Sequence, residues 1–191
     1  MVPENKKSDR LLVVLAGGAG RRMGGNKPLH PWQGTTLIEA TIARLKPQVD
    51  TIYINAGPVG LDGLDYPQIH DHPAVAGLGP LSGVHSALHL AAELGLDAVF
   101  TAPCDMPYLP PDLVTQLEAV EADIVHFGGE RDYPLTTRWR TSLLPSLEAA
   151  LLAARAEGGL RVMRYIQSQR AVRLEATDRD AFRNINTPED R

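Results

Sequence analysis

Apolar positions along the chain fall into short unbroken runs that alternate with stretches of helical spacing. Leu11-Leu12-Val13-Val14-Leu15 is aliphatic throughout, which suits a strand covered on both faces of a parallel sheet. It stops abruptly at Gly17-Gly18-Ala19-Gly20. From Thr35 the positions Leu37, Ile38, Thr41, Ile42 and Leu45 share one helical face, closed by Pro47, and Thr51 to Ile54 is a second strand. Residues 57–68 form a Gly/Pro/Asp-rich connection that leads to a weak short strand ending at Ile69. Gly77-Leu78-Gly79-Pro80-Leu81-Ser82-Gly83 introduces a helix expected over about 84–94. A buried strand at 98–101 is broken by Pro103, Pro107, Pro110 and Pro111. A helix over 112–120 and a strand over 124–127 follow. Beyond 130 the pattern predicts a strand near 135–139, a helix over 142–156, a Gly158-Gly159 break, a second helix to 169, a strand over 172–174 and a polar tail.

Strand and helix in alternation argue for an open, mostly parallel α/β sheet with helices on both faces. Ligands of such sheets bind at the carboxyl ends of the strands. The expected organisation is a flexible tail over 1–10 and one domain over 11–191.

The 191 residues suit one domain, and 43% hydrophobic with 22% charged residues describes an ordinary globular chain. A net charge of −4 gives no global positive field for nucleic acid. Only four of the nineteen cationic residues are lysines, and Lys27 lies in the first glycine loop. Cys104 is the single cysteine, which excludes an intrachain disulfide. The run at 11–15 is too short for a signal-peptide core or a membrane span. The expectation is therefore a cytoplasmic protein without membrane contact.

Three loops carry candidate chemistry. Leu15 to Lys27 holds five glycines, Arg21, Arg22 and Lys27, and no acidic residue. Glycines let successive N–H groups turn toward an anion, and the cations add charge. The order matches neither the common P-loop nor the dinucleotide fingerprint, and a glycine-rich turn with solvated charges is the plainer reading. Ala102 to Pro107 contains Asp105 just past a buried strand. A carboxylate there beside phosphates can hold Mg²⁺, although Asp before a Pro-rich break is also an ordinary turn residue. Cys104 reads as a small buried residue rather than a nucleophile.

In the third loop, Asn184 and Asn186 flank Ile185. Alternation puts both amides on one face of a strand, facing metal or ligand, and Thr187-Pro188 equally reads as a turn with a helix cap. His85 and His89 share a helical face without a third ligand, and read as partly buried or surface residues. Asp71, between His70 and His72 at a strand end, is a candidate ligand contact. Arg161 and Arg164 offer two cations one turn apart, for an anionic substrate or for solvent.

Taken in order, Leu15-Ala16-Gly17-Gly18 with Arg22-Met23-Gly24-Gly25 and Lys27, Gly79-Pro80-Leu81-Ser82-Gly83, Pro103-Cys104-Asp105-Met106-Pro107 and Asn184-Ile185-Asn186-Thr187-Pro188-Glu189 resemble the molybdenum cofactor guanylyltransferase family over about 11–190. The resemblance implies a Rossmann-like nucleotidyltransferase sheet. It also implies transfer of GMP from GTP to the terminal phosphate of molybdenum-molybdopterin, giving the guanine dinucleotide cofactor and pyrophosphate. Nucleotide contacts would come from Leu15, Ala16, Gly17, Gly18, Lys27, Asn55, Asp71 and Asp105, with Asp105 binding Mg²⁺. Arg22, Lys27 and Asp105 would be catalytic, and Asn184, Asn186, Arg161 and Arg164 would face the second substrate or the metal. Residues 11–127 would form the nucleotide part and 128–191 the acceptor part, and apoenzymes that accept the cofactor, or their chaperones, would be partners. Family members often carry a histidine before the residue matching Pro134, where this chain has Tyr133.

The rival readings are a cytidylyltransferase or another small-molecule nucleotidyltransferase, and a non-catalytic module that carries the pterin. Gly17-Gly18 favours GTP over CTP, since cytidylyl relatives more often have Ala-Gly there. Arg22, Lys27 and Asp105 together disfavour a carrier, which has no use for a metal carboxylate at the α-phosphate.

Overall fold

A computed structural model of the chain describes residues 9–17, 27–57 and 60–186. Arg10, at the boundary of the expected tail, is tied to the folded body: its backbone N–H donates to Asp50 (2.9 Å) and its guanidinium pairs with Glu118 (2.6 Å).

The strands are β1 (Leu11–Leu15), β2 (Pro31–Trp32), β3 (Thr35–Thr36), β4 (Thr51–Asn55), β5 (Gln68–Ile69), β6 (Ala98–Pro103), β7 (Ile124–Gly128), β8 (Asp132–Arg140) and β9 (Ala171–Glu175). The helices are α1 (Leu37–Leu45), α2 (Pro80–Glu93), α3 (Leu113–Glu118), α4 (Leu144–Ala153) and α5 (Val162–Gln167). Seven strands make one sheet in the order β5-β4-β1-β6-β8-β7-β9, and β2 with β3 makes a separate small hairpin.

All pairings in the large sheet are parallel except those of β8, which runs antiparallel to β6 and β7. The connection from β7 to β8 is only Gly129-Glu130-Arg131, closed by Gly129 N–H donating to the Arg131 carbonyl (2.9 Å). A parallel return needs a crossover of a dozen or more residues, so three residues permit only the antiparallel one.

Side-chain alternation sorts the core into two layers. Leu12 and Val14 of β1, Phe100 and Ala102 of β6, and Val125 and Phe127 of β7 face Ile38 and Ile42 of α1 and Leu113 and Leu117 of α3. Leu11, Val13, Val99 and Ile124 face the other way, onto α2, α4 and α5. Burial on both faces accounts for the unbroken aliphatic run of β1.

Helix boundaries follow from local chemistry. α1 opens with a capping box: Glu39 N–H donates to the Thr36 hydroxyl, and Thr36 N–H donates to the Glu39 carboxylate (3.0 Å). α2 starts at Pro80, four residues before the expected start, because Pro fits the first helical turn and Gly79 adopts a φ of 93° that other residues resist. The helix expected over 142–156 is α4 with a short 3-10 turn at either end, stopped by Gly158 at a φ of 80°.

Candidate active site

Three strands end level with one another. Leu15 of β1 is paired with Asn55 of β4 on one side and Pro103 of β6 on the other. The residues just beyond these ends therefore form one edge, made of Ala16 and Gly17, Ala56 and Gly57, and Cys104 and Asp105. The ladder extends one residue past each end: Ala16 N–H donates to the Asn55 carbonyl (2.8 Å), and Cys104 N–H to the Leu15 carbonyl (3.1 Å).

The glycines along this edge serve close packing. A Cβ on Gly17 would lie 2.9 Å from Gly57 Cα, and one on Gly83 of α2 would lie 2.7 Å from Asn55 Oδ1. Two loops and a helix thus meet backbone to backbone around Asn55, which is 2% exposed. The Asn55 amide donates to Asp71 (3.1 Å), just beyond β5. Asn55 and Asp71, each expected separately to contact the nucleotide, are in direct contact.

Asp105 is the hub of the site and is 8% exposed. Its Oδ2 is ion-paired with the Lys27 ammonium. Its Oδ1 accepts from Asn184 Nδ2 (3.0 Å), and its carbonyl accepts from Ile185 N–H (2.9 Å). Lys27 also donates to Asn186 Oδ1 (2.9 Å). Lys27, Asp105, Asn184 and Asn186 form one network from three distant stretches of chain, the ion-paired residues lying 78 positions apart.

The Asn-Ile-Asn segment reaches this network without forming a strand. Ile185 is fully buried against Trp32 and Leu37, the apolar cluster under the β2-β3 hairpin. That anchor turns both neighbouring asparagines toward Asp105 and Lys27. Just before them, Phe182 packs between Phe127 (ring centroids 4.9 Å) and Tyr133 (4.8 Å).

Two features had no signal in the sequence. Arg131, in the β7-β8 turn, donates to Asn184 Oδ1 (3.2 Å) and lies over the Tyr133 ring at 5.2 Å. Beside it a cavity of about 320 Å³ is lined by Glu130, Arg131, Tyr133, Arg179, Asp180 and Arg183. Arg179 is paired with Glu130 at 2.7 Å. Among the described residues, no carboxylate lies within ion-pair distance of Arg131 or Arg183. Single arginines in a hairpin turn and in a polar tail have no pattern that joins them.

Gly18 and Arg22 lie outside the described residues. Arg164 is exposed and pairs with Glu157 at 3.8 Å. Arg161 is exposed at the start of α5, and the preceding Gly159 packs against the Leu78 carbonyl. That contact sets the 158–161 turn beside the loop before α2, and among the described residues neither arginine is joined to Asp105. Cys104 is buried, and burial together with the neighbouring Asp105 pushes its thiol up to about 12, which leaves it protonated and inert.

His85 and His89 are joined by His72, with ring centroids 5.5 to 6.4 Å apart. Among the described residues, neither ring nitrogen of buried His85 has a hydrogen-bond partner. Burial lowers its pKa below the ordinary histidine value, helped by His72 and His89 and opposed by Glu148 and Asp71. Among the described residues, no cluster of three or more His, Cys, Asp or Glu side chains is arranged to hold a metal ion.

A divalent cation at Asp105 is nevertheless compatible with the chemistry of the site. Each carboxylate oxygen accepts a single hydrogen bond in the contacts described above, and a carboxylate offers about four lone-pair sites. The Lys27 ammonium already stands as a cation at Oδ2. Carboxylate and amide oxygens are hard donors, and Mg²⁺ needs only one or two carboxylates from the protein because it keeps several waters.

Comparison with known proteins places these features in context. Residues 12–172 match the family described as the MobA-like NTP transferase domain. A molybdenum cofactor guanylyltransferase of Rhodobacter capsulatus is 39% identical over 180 residues, spanning 93% of this chain and 90% of that protein. One from Cereibacter sphaeroides is 40% identical over 184 residues, spanning 93% and 91%. The crystal structure of molybdopterin-guanine dinucleotide biosynthesis protein A from Archaeoglobus fulgidus superposes with a TM-score of 0.73 at 22% identity, covering 94% of each chain.

Proposed function

Because the chain belongs to the MobA-like NTP transferase family, we propose that it is a molybdenum cofactor guanylyltransferase, transferring GMP from GTP to the terminal phosphate of molybdenum-molybdopterin. The observation that carries this reading is the network of Lys27, Asp105, Asn184 and Asn186 at the level ends of β1, β4 and β6. It brings a cation, a carboxylate and two amides to the edge where an α/β sheet of this kind binds its ligand.

The reaction forms a bond between an acceptor phosphate oxygen and the α-phosphorus of GTP and breaks the bond to the β-phosphate oxygen, so pyrophosphate leaves. No covalent nucleophile is required; positioning and charge neutralisation suffice. Leu15, Ala16 and Gly17, with Gly18 and Arg22 from the same loop, would meet the nucleotide along the edge left bare by the glycines. Asn55 and Asp71 act there as a hydrogen-bonded pair. Lys27 neutralises phosphate charge from its place beside Asp105. Mg²⁺, held by Asp105, would supply Lewis-acid polarisation of the phosphate oxygens. Asn184 and Asn186 hold Asp105 and Lys27 in register.

Residues 11–127 carry the nucleotide contacts and 128–191 the acceptor side, within one continuous sheet. The cavity of about 320 Å³ suits an anionic acceptor, with arginines for phosphate. Arg161 and Arg164, exposed at α5, would face the anionic second substrate. Among the described residues, no helix is long and apolar enough to cross a membrane. We read the protein as acting in the cytoplasm, delivering product to apoenzymes or their chaperones.

The test is pyrophosphate release from purified protein with Mg²⁺, molybdenum-molybdopterin and GTP, CTP or ATP in turn. GTP alone supports release on this reading. Release with CTP alone points to a cytidylyltransferase, and none with any nucleotide to a carrier.

A further inference from the structure

We propose that Arg131 is a positioning residue for the metal carboxylate: it fixes which way round the Asn184 amide sits, and so fixes Asp105. The inference rests on the reading of Asp105 as the carboxylate that takes Mg²⁺.

An asparagine amide can present either its oxygen or its NH₂ to a neighbour, and the two ends have almost the same shape. At Asn184 the two flanking groups are chemically opposite. Asp105 Oδ1 only accepts, at 3.0 Å from Asn184 Nδ2, and the Arg131 guanidinium only donates, at 3.2 Å from Asn184 Oδ1. The observed orientation satisfies both contacts. The reverse orientation opposes oxygen to carboxylate and NH₂ to guanidinium, and loses both.

Arg131 is itself located by three restraints. Its guanidinium lies over the Tyr133 ring, a second bond runs to the Phe182 carbonyl at 3.5 Å, and its backbone closes the β7-β8 turn. Tyr133 and Phe182 pack against each other with rings tilted by 33°, so the surface that holds the arginine also anchors the segment carrying Asn184. Without Arg131, only the Asp105 carboxylate is left to select the Asn184 orientation, and the oxygen end of the amide has lost its donor. Asp105 Oδ1 then faces an amide tethered at one end only, and the carboxylate is held less firmly in its plane. Groups that orient a metal ligand in this manner typically change metal affinity or activity by about 10- to 100-fold when removed.

The test compares Arg131→Met, Arg131→Lys and Arg179→Met in the full-length protein. Mn²⁺ affinity is measured by titration with GTP present and the acceptor omitted, so that turnover plays no part. The side-chain amide protons of Asn184 are followed by NMR without metal. We expect Arg131→Met to weaken Mn²⁺ binding by about 10-fold or more and to shift the Asn184 NH₂ resonances. Arg131→Lys, which keeps a donor, recovers part of both. Arg179→Met removes a cation from the same cavity without touching Asn184, so it leaves Mn²⁺ affinity and the resonances in place while raising the KM for the acceptor.

Wild-type Mn²⁺ affinity and unmoved Asn184 resonances in Arg131→Met overturn the proposal, and so does an equal loss in Arg179→Met, which signals general electrostatics. Should the wild type release no pyrophosphate while Arg131→Met and Arg179→Met still separate in the titration, the guanylyltransferase reading fails and this one stands.

Discussion

Gly83 of α2 offers a direct measure of how tightly the edge at the ends of β1 and β4 is packed. Its backbone is helical, so Gly83→Ala gains about 1 kcal/mol of helix propensity when the added methyl finds room. Here the methyl carbon would sit 2.7 Å from Asn55 Oδ1 and 3.2 Å from its Cγ, well inside the roughly 3.5 Å of an optimal contact. Overpacking of this kind costs about 1 to 3 kcal/mol. The two contributions oppose each other, and the net cost in the wild-type background is about 0 to 2 kcal/mol.

Removing the obstruction should expose the sign of the propensity gain. In an Asn55→Ala background the remaining close neighbour is Leu15 Cδ2 at 3.1 Å, a terminal methyl on a half-buried side chain that can rotate aside. Gly83→Ala should then stabilise by about 1 kcal/mol, so the cycle carries a coupling of about 1 to 3 kcal/mol. The assay is urea unfolding of the four proteins. At this chain length 1 kcal/mol corresponds to about 2 to 4 °C in Tm, so thermal melts offer an independent reading. Gly83→Ala alone should also weaken GTP binding, because Asn55 must turn away from Asp71 to make room. Equal effects of Gly83→Ala in both backgrounds would refute the account, since they would mean that Asn55 is not what the methyl meets.

The other expectations concern chemistry and pH. Asp105→Asn should lower turnover by about 10²-fold or more while the circular dichroism spectrum stays native, and near-normal activity would remove Asp105 from the centre of the mechanism. Lys27→Ala should raise the KM for GTP and lower kcat together; a change in neither would make the ion pair purely structural. Cys104 should resist thiol reagents until the protein unfolds, and Cys104→Ala should retain most of its activity, whereas complete inactivation would restore a role for sulfur. His85 and His126 both have pKa values lowered by burial, so below about 6.5 the unfolded chain takes up protons that the folded one refuses. Stability should therefore be highest above that pH and fall as pH drops below it, by at most about 1.4 kcal/mol per unit for each histidine. A His85→Leu variant should show a shallower fall, and an unchanged profile would count against burial as the cause.

The helix that begins at Pro80 shows how local rules and tertiary structure divide the work. Proline in the first turn and glycine before it are enough to start a helix, so the existence of α2 was readable from residues a few positions apart. The same holds for the aliphatic run of β1 and the helical face of α1. In each, the deciding interaction is between neighbours in the chain, and backbone sterics and side-chain periodicity act at that range. Asp105, Lys27, Asn184 and Asn186 could be nominated singly because each residue type suits its chemistry.

That they form one network depends on contacts between residues 78, 79 and 159 positions apart, and no local rule reaches so far. The antiparallel course of β8, the meeting of Gly17 with Gly57 and of Gly83 with Asn55, the third ring that His72 adds to His85 and His89, and the hold of Arg131 on Asn184 are of the same kind. Each exists only once the strands have taken their order and the loops at their ends are forced into the same small volume. The sequence by itself determined most of the segments that form strands and helices, though not the β2-β3 hairpin, and where charge and glycine concentrate. The tertiary structure alone decided which of those side chains touch, because close packing selects among contacts that the chain leaves equally open.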